Sequence, residues 1–262
     1  MTTATYTSRS LKGTALLTET SVLLRAWRPG ETGVELRRRV LAEDLLGKST
    51  SKRAEDVVDF VFARRFLGPG GSPAVHLQRI LAARSGGEWL THVSLVLSAR
   101  QDDVLRDAIT LSLPRARAGH VGNDDILRLL DEAAEDGRLS RPWSSTVRLR
   151  VTQHILRQMS EFGLLKPPSR GMREVVHFRP DPVAVAWLAC DLHFAGTSDG
   201  SLPGHPDWAI LRLREPEVRE QLAWIGDHGL WTLQAAGEVV RMDWHVPSMT
   251  EAANVLARIN LR

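Results

Sequence analysis

From Leu11 to about Leu113 apolar residues recur every three to four positions, the spacing that lines one face of an α-helix. This pattern predicts helices over 11–27, 33–46, 51–67, 73–84, 87–99 and 101–113, joined by short Gly/Pro/Ser breaks such as GPGGSP. Ser72-Pro73 has the form of a helix start, a capping serine followed by proline at the first helical position. A bundle-like helical domain over residues 1–113 is the default for such a series. Residues 114–180 read as helix, loop, helix and then short strands. Residues 181–262 change character: an apolar helix (181–195), a loop rich in Gly, Pro, Ser and Asp, then a helix over 215–227. Two strand-like runs follow, LWTLQA and EVVRMDWHV, with AAGE between them as a hairpin turn. A final helix opens at Ser248, with Glu251 placed for a capping box. The expected fold class is mainly α, with a small C-terminal α+β module.

The section 138–180 is the most informative. On a helix over 144–162, Val147, Val151, Ile155, Met159 and Phe162 gather on one side. Thr146, Arg150, Gln153 and Arg157 gather on the opposite side, at spacings of four, three and four. One face is a core anchor; the other presents a hydroxyl, an amide and two guanidinium groups in a row. Arg and Gln are the side chains that bond bidentately to guanine and adenine edges in a major groove, and Arg also grips phosphate. After the helix, GLLK and EVVHF read as two short strands around the turn PPSRGMR. That turn holds Arg170 and Arg173 near its tip, with Lys166 at the end of the first strand, and the cations of such a wing would lie along a phosphate backbone. Helix, strand, basic loop, strand is the layout of a winged helix-turn-helix, with NDDILRLLDEAAEDG as the supporting helix. The link between the two helices is longer than the tight turn of the simplest helix-turn-helix. Three uses of the segment stay open at this point: a DNA-binding winged helix, a protein-docking winged helix, or a solvated amphipathic helix followed by a hairpin.

Charge favours the first. Residues 138–180 carry 9 basic side chains against only Glu161 and Glu174, a stripe that suits a polyanion. Residues 181–262 carry 6 basic against 11 acidic, so the tail is a poor surface for phosphates. Only four of the 34 cations are lysine, so the placement of the arginines is more informative than their number.

Other chemistry is thin. AEDLLGKS, residues 42–49, fits a loose P-loop pattern, in which backbone N–H groups cradle phosphates, Lys reaches them and Ser holds Mg²⁺. A P-loop follows a buried strand, however, and here the helical run ETGVELRRRVL precedes it, with Glu43 and Asp44 inside the would-be loop. The segment is better read as a junction, with Gly47 closing one helix and Ser49, Thr50 or Ser51 capping the next. Cys190 and His193 lie one helical turn apart, and His205 and Asp207 follow, but no paired CxxC, HExxH or third ligand at a telling interval completes a metal site. Cys190 sits in an apolar helix and reads as an inert buried thiol. Trp27, Trp89, Trp187 and Trp224 fall within apolar patterns and read as core. No cofactor is expected, and no catalytic residue is assigned.

Length (262 residues), 43% apolar and 25% charged content are those of an ordinary globular protein. No basic segment followed by an apolar run marks a secretory signal, and the most apolar stretch, PVAVAWLACDLHFAG, is too short to span a bilayer. One cysteine excludes an internal disulfide and suits a reducing cytoplasm.

The opening SRSLKGTALLTETSVLLRAW, the run RRRVLAEDLLGKSTSKRAEDVVDFVFARR and the later ILRQMSEFGLL resemble the BrxA family, small proteins encoded in BREX phage-resistance systems. The resemblance covers roughly residues 8–180. It implies a helical body like the NusB antitermination fold, a winged-helix element, binding of double-stranded DNA, no enzymatic activity of its own, and work beside other BREX proteins. Residues 181–262 exceed the shorter members, so nothing is carried over to them. The expectation is a cytoplasmic, non-membrane, non-enzymatic DNA-binding accessory. An interaction adaptor within the defence complex and a winged-helix transcriptional regulator are the alternatives.

Overall fold

The computed structural model describes residues 6–8, 11, 13–68, 73–84, 86–139, 141–226, 228–236 and 239–261. The Ser72 cap and the Gly237-Glu238 half of the AAGE turn lie outside them.

The molecule is mainly α-helical, as the apolar spacing predicts, with two small antiparallel sheets. The first helix, α1 (Leu17–Ala26), is shorter than expected because Leu16 adopts a left-handed conformation (φ 48°, ψ 47°) that breaks the turn. Helix α2 (Gly33–Ala42) starts in a Thr32/Glu35 capping box. Helices α3 (Ser51–Asp56) and α4 (Ala63–Phe66) form one rod through a π-helical stretch, Val57–Phe62. Next come α5 (Pro73–Ala83), α6 (Glu88–Gln101) and α7 (Asp103–Asp107), the last running through a π turn (Ala108–Ser112) into a 3-10 turn (Leu113–Arg115).

A short strand, β1 (His120–Gly122), then leads directly into α8 (Asn123–Glu135), which is followed by α9 (Ser145–Glu161) and β2 (Met172–Glu174). The tail supplies α10 (Pro182–Phe194), a 3-10 helix (Pro206–Leu211), α11 (Glu215–Gly226), the hairpin β3 (Trp231–Ala236) and β4 (Val239–Trp244), and α12 (Met249–Arg258). Ser248 caps α12 as expected, its hydroxyl accepting the Glu251 N–H at 3.2 Å.

Two helices are apolar nearly all round and lie at the centre. In α6 every residue from Trp89 to Ala99 except Thr91 is buried, and in α10 every residue from Val183 to Cys190. They pack on each other, and α12 folds back to cover α10 and α5. Arg84 fastens that return, its Nε donating to the Leu256 carbonyl at 2.7 Å. The buried residues form one continuous core from Tyr6 to Leu261, so the acidic tail shares its interior with the N-terminal helices. Trp27, Trp89 and Trp187 are in that core, but Trp224 is 39% exposed. Trp224 follows the apolar pattern of α11 yet falls at the edge of the stripe carried by Val218, Leu222 and Ile225.

Candidate nucleic-acid interface

Helix α9 starts where Ser144 caps it, Oγ accepting the Val147 N–H at 3.4 Å. Val151, Ile155, Met159 and Phe162 are buried, partly against α8, while Val147 is half-buried. Thr146, Arg150, Gln153 and Arg157 are all exposed on the opposite side, the division that the spacing predicts. Arg150, Gln153 and Arg157 also line a shallow cleft of about 400 Å³ with Leu11 and His154. Thr146 lies one turn upstream of Arg150, outside the cleft. Thr146, Arg150 and Gln153 bond to no described residue, whereas Arg157 donates Nε to Glu161 Oε1 at 2.8 Å.

The strands after α9 pair differently from the simple hairpin expected. Residues 164–166 run antiparallel to 174–176, with the Lys166 N–H on the Glu174 carbonyl (2.9 Å) and the Val176 N–H on the Leu164 carbonyl (3.0 Å). The other edge of the second strand pairs with β1, in the register His120↔Glu174, Val121↔Arg173, Gly122↔Met172. The second strand therefore begins at Met172, two residues before EVVHF, because β1 supplies it a partner there. Strand β1 spans only three residues, His120 to Gly122, too few for an alternating pattern to betray it. Gly122 lets Met172 pack over the strand, since a Cβ there would stand 2.5 Å from the Met172 sulfur and the flexible Met side chain would have to swing aside.

Arg170 (φ 49°) and Gly171 (φ 80°) form the tip of the hairpin, and Ser169 and Met172 exchange both backbone hydrogen bonds across it (2.8 and 3.0 Å). Positive φ at both central residues is what the primed hairpin turn needs. Arg170 is exposed there and bonds to no described residue. The other two basic candidates are engaged. Lys166 pairs with Glu174 across the strands at 2.7 Å and holds that carboxyl below the usual range. Arg173 donates Nη1 to Ser160 Oγ at 2.9 Å, tying the hairpin to the end of α9. Of the seven candidates, four have no side-chain partner among the described residues and three are held by the protein.

Two further arginines, Arg117 beside β1 and Arg141 before α9, are exposed with no ion pair to a described residue. Arg141 belongs to the basic section 138–180, whereas Arg117 lies outside it and carries no sequence signal of its own. The surface also shows two apolar residues, Leu149 and Met172.

A strap formed by residues 13–16 holds α9 along its flank, next to the cleft, which nothing in the apolar pattern signals. The buried Gln158 Nε2 donates to the Gly13 carbonyl at 2.9 Å, and the Ala15 N–H donates to Glu161 Oε2 at 2.9 Å. Burial lowers the pKa of His154, whose Nε2 lies 3.1 Å from the same carbonyl.

The remaining chemistry is spoken for. Lys48 is bonded to Glu19 on α1, and Gly47 takes positive φ (52°) while Thr50 Oγ1 caps α3, so AEDLLGKS is a junction between helices. Asp191 and Asp207 both grip Arg100, each at 2.7 Å. His193 stacks on Trp244 with ring centroids 3.9 Å apart. Cys190 is fully buried, and burial pushes its thiol pKa well up, away from a reactive thiolate. Among the described residues no three His, Cys, Asp or Glu side chains converge as a metal site, and no helix is long and apolar enough to cross a membrane.

The BrxA family model matches residues 4–190, well over half of the chain, and the chain belongs to that family. No curated protein and no solved structure matches it.

Proposed function

We propose, on the premise of that membership, that this BrxA-family protein is a cytoplasmic, non-enzymatic accessory of BREX phage defence that holds double-stranded DNA through a winged helix-turn-helix. In this reading α1–α6 form a NusB-like bundle that carries the module. The order α7, β1, α8, α9, then two strands around a tight turn is that of a winged helix, with α9 as recognition helix. The observation that carries the reading is the open face of α9: Thr146, Arg150 and Gln153 are exposed, without a side-chain partner among the described residues, and opposite the buried stripe. Buried side chains fix the helix while its donors stay unengaged, which is what a groove-entering helix needs. Arg170 at the hairpin tip would meet phosphate, as would Arg117 and Arg141. Lys166 and Arg173 shape the hairpin, since each already has an internal partner.

A second reading, docking on a protein, is favoured by the exposure of Leu149 and Met172 on the same module. A mobility-shift assay on random duplex across salt concentrations separates them. Phosphate contacts release counterions, so DNA binding should weaken steeply with salt. No shift at low salt overturns the DNA reading, and a strong preference for one sequence turns it toward an operator-binding regulator.

A further inference from the structure

A cleft of about 850 Å³ lies where segment 176–182 faces the 3-10 helix Pro206–Leu211 and α11. None of its lining residues belongs to α9 or to the hairpin tip, so it is a different surface from the one described above. Its size is that of a ligand pocket rather than a packing defect.

Three features of its wall are unexplained by folding. Arg212 leaves the 3-10 helix in a left-handed backbone conformation (φ 59°, ψ 27°), uncommon for a residue with a side chain. Its Nη1 is buried and has no hydrogen-bond partner, a cost that folds normally avoid. Trp224 lines the same cleft and is 39% exposed, with its ring tilted against that of His228 at 5.3 Å between centroids. Arg179, exposed on the facing segment, has no ion pair among the described residues. Arg214, by contrast, is already held by Glu217 at 2.8 Å. Beside Arg179 the backbone is also free. The Val176 N–H is bonded to Leu164 and the Asp181 N–H to His92, but no backbone hydrogen bond joins 177–179 to any described residue.

We propose that this cleft binds an extended peptide segment of a partner protein, with a carboxylate on Arg179, beside the charge of Arg212, and a large apolar side chain on Trp224. The exposed Arg179 guanidinium can take a planar carboxylate bidentately, while Arg212, half-buried with its Nη1 closed off from solvent, lends its charge from the wall. Trp beside it supplies the buried aromatic anchor typical of peptide hot spots. Free main-chain groups at 177–179 can bond the peptide backbone, as in strand addition. The lining sets Arg179, Arg212 and Arg214 beside Glu217 and Glu220, so a single carboxylate on Arg179 fits it better than a run of phosphates, which those two carboxylates would repel.

The test uses the full-length protein and three soluble peptide libraries, randomised except for a fixed central Glu, Gln or Lys, read by fluorescence anisotropy. The expected result is retention of the Glu library over the other two, with enrichment of aromatic or aliphatic residues beside the Glu. Arg179→Gln, at an exposed position, should weaken that binding by about tenfold, the loss of one charge-assisted pair. Arg212→Gln should weaken it as well, by removing the charge behind that pair. Trp224→Ala should remove the apolar preference, and Glu220→Gln should tighten binding. DNA mobility shifts should be unchanged in all of these, which separates this site from the α9 face. Equal retention of the Glu and Gln libraries, unchanged binding in Arg179→Gln, or displacement of the peptides by a short DNA duplex would each overturn the proposal.

Discussion

Gln158, buried on α9, donates its side-chain amide to the carbonyl of Gly13 across 145 residues of chain, at 2.9 Å. This bond joins the flank of the proposed recognition helix to the N-terminal strap. Gly13 must be glycine, because a Cβ there would stand 2.2 Å from Val61 Cγ2. Gln158→Leu leaves the Gly13 carbonyl without this donor. It should cost about 1–3 kcal/mol in urea unfolding, the penalty for a lost buried bond. An unchanged midpoint would mean that the strap contributes nothing to the placement of α9.

Arg150 and Arg157 face the same way but should behave differently. Arg150→Ala should lower DNA affinity by about 1–3 kcal/mol if it reads a base. If it meets phosphate, the salt slope should fall by roughly 0.9. Stability should stay within about 0.5 kcal/mol in either case. Arg157→Ala should cost about 0.3–0.5 kcal/mol of stability through its exposed pair with Glu161. Val151→Asp, on the buried face, should unfold the protein by placing a charge in the core. Full DNA affinity in a folded Arg150→Ala/Gln153→Ala protein would move the interface away from α9.

Asp102 gives a pH signature. Its Oδ1 caps α7 by accepting the Val104 and Leu105 N–H groups (3.1 and 3.3 Å), while its Oδ2 is buried and unpartnered. Burial dominates and pushes its pKa from 3.8 up to about 6, against those N–H groups and the Arg65 charge. The folded protein therefore holds this proton more tightly than the unfolded chain does. The contribution is full below about 4, falls as pH rises to about 6 and is flat above, with a slope of at most ~1.4 kcal/mol per pH unit. Asp102→Asn should flatten that segment of the stability–pH curve. An identical slope in the variant would assign it to other groups.

Lys48 tests the junction between α2 and α3. Lys48→Ala removes its partly buried pair with Glu19. Burial alone would raise the Glu19 pKa, but the bond and charge of Lys48, with a backbone hydrogen bond and the charge of Arg53, outweigh it and the pKa falls. That stabilisation is present above the ordinary carboxylate range and is lost as pH drops through the lowered folded value. The variant should be less stable by about 1 kcal/mol near neutrality, a part-buried charged bond discounted for solvent. Calorimetry with Mg²⁺-ATP should show no binding in either protein. Saturable binding lost in Lys48→Ala would restore the phosphate-loop reading.

Truncation after Pro180 should unfold the protein rather than trim it. It would remove α10 and α12 and bare the apolar surfaces of α6 and α5 that they cover. Circular dichroism and limited proteolysis decide this. A compact, protease-resistant fragment would show that the shared core is not needed.

The helical class, most helix positions, the split of α9 into a buried and an exposed face, and a basic turn within PPSRGMR were all legible in the sequence. These are local properties, set by apolar period, capping residues and turn chemistry, and a single stretch of chain carries each signal. The tertiary structure alone decided what met what. Strand β1 exists because Met172–Glu174 lies beside it, not because three residues favour a strand. Lys166, Arg173 and Arg157 look identical in sequence to Arg150 and Arg170, yet Glu174, Ser160 and Glu161 claim them. Trp224 follows an apolar stripe and still faces a cleft, and Gln158 reads as an ordinary polar helix residue until Gly13 arrives from the far end of the chain. Burial and pairing depend on neighbours distant in sequence, and no local period encodes them.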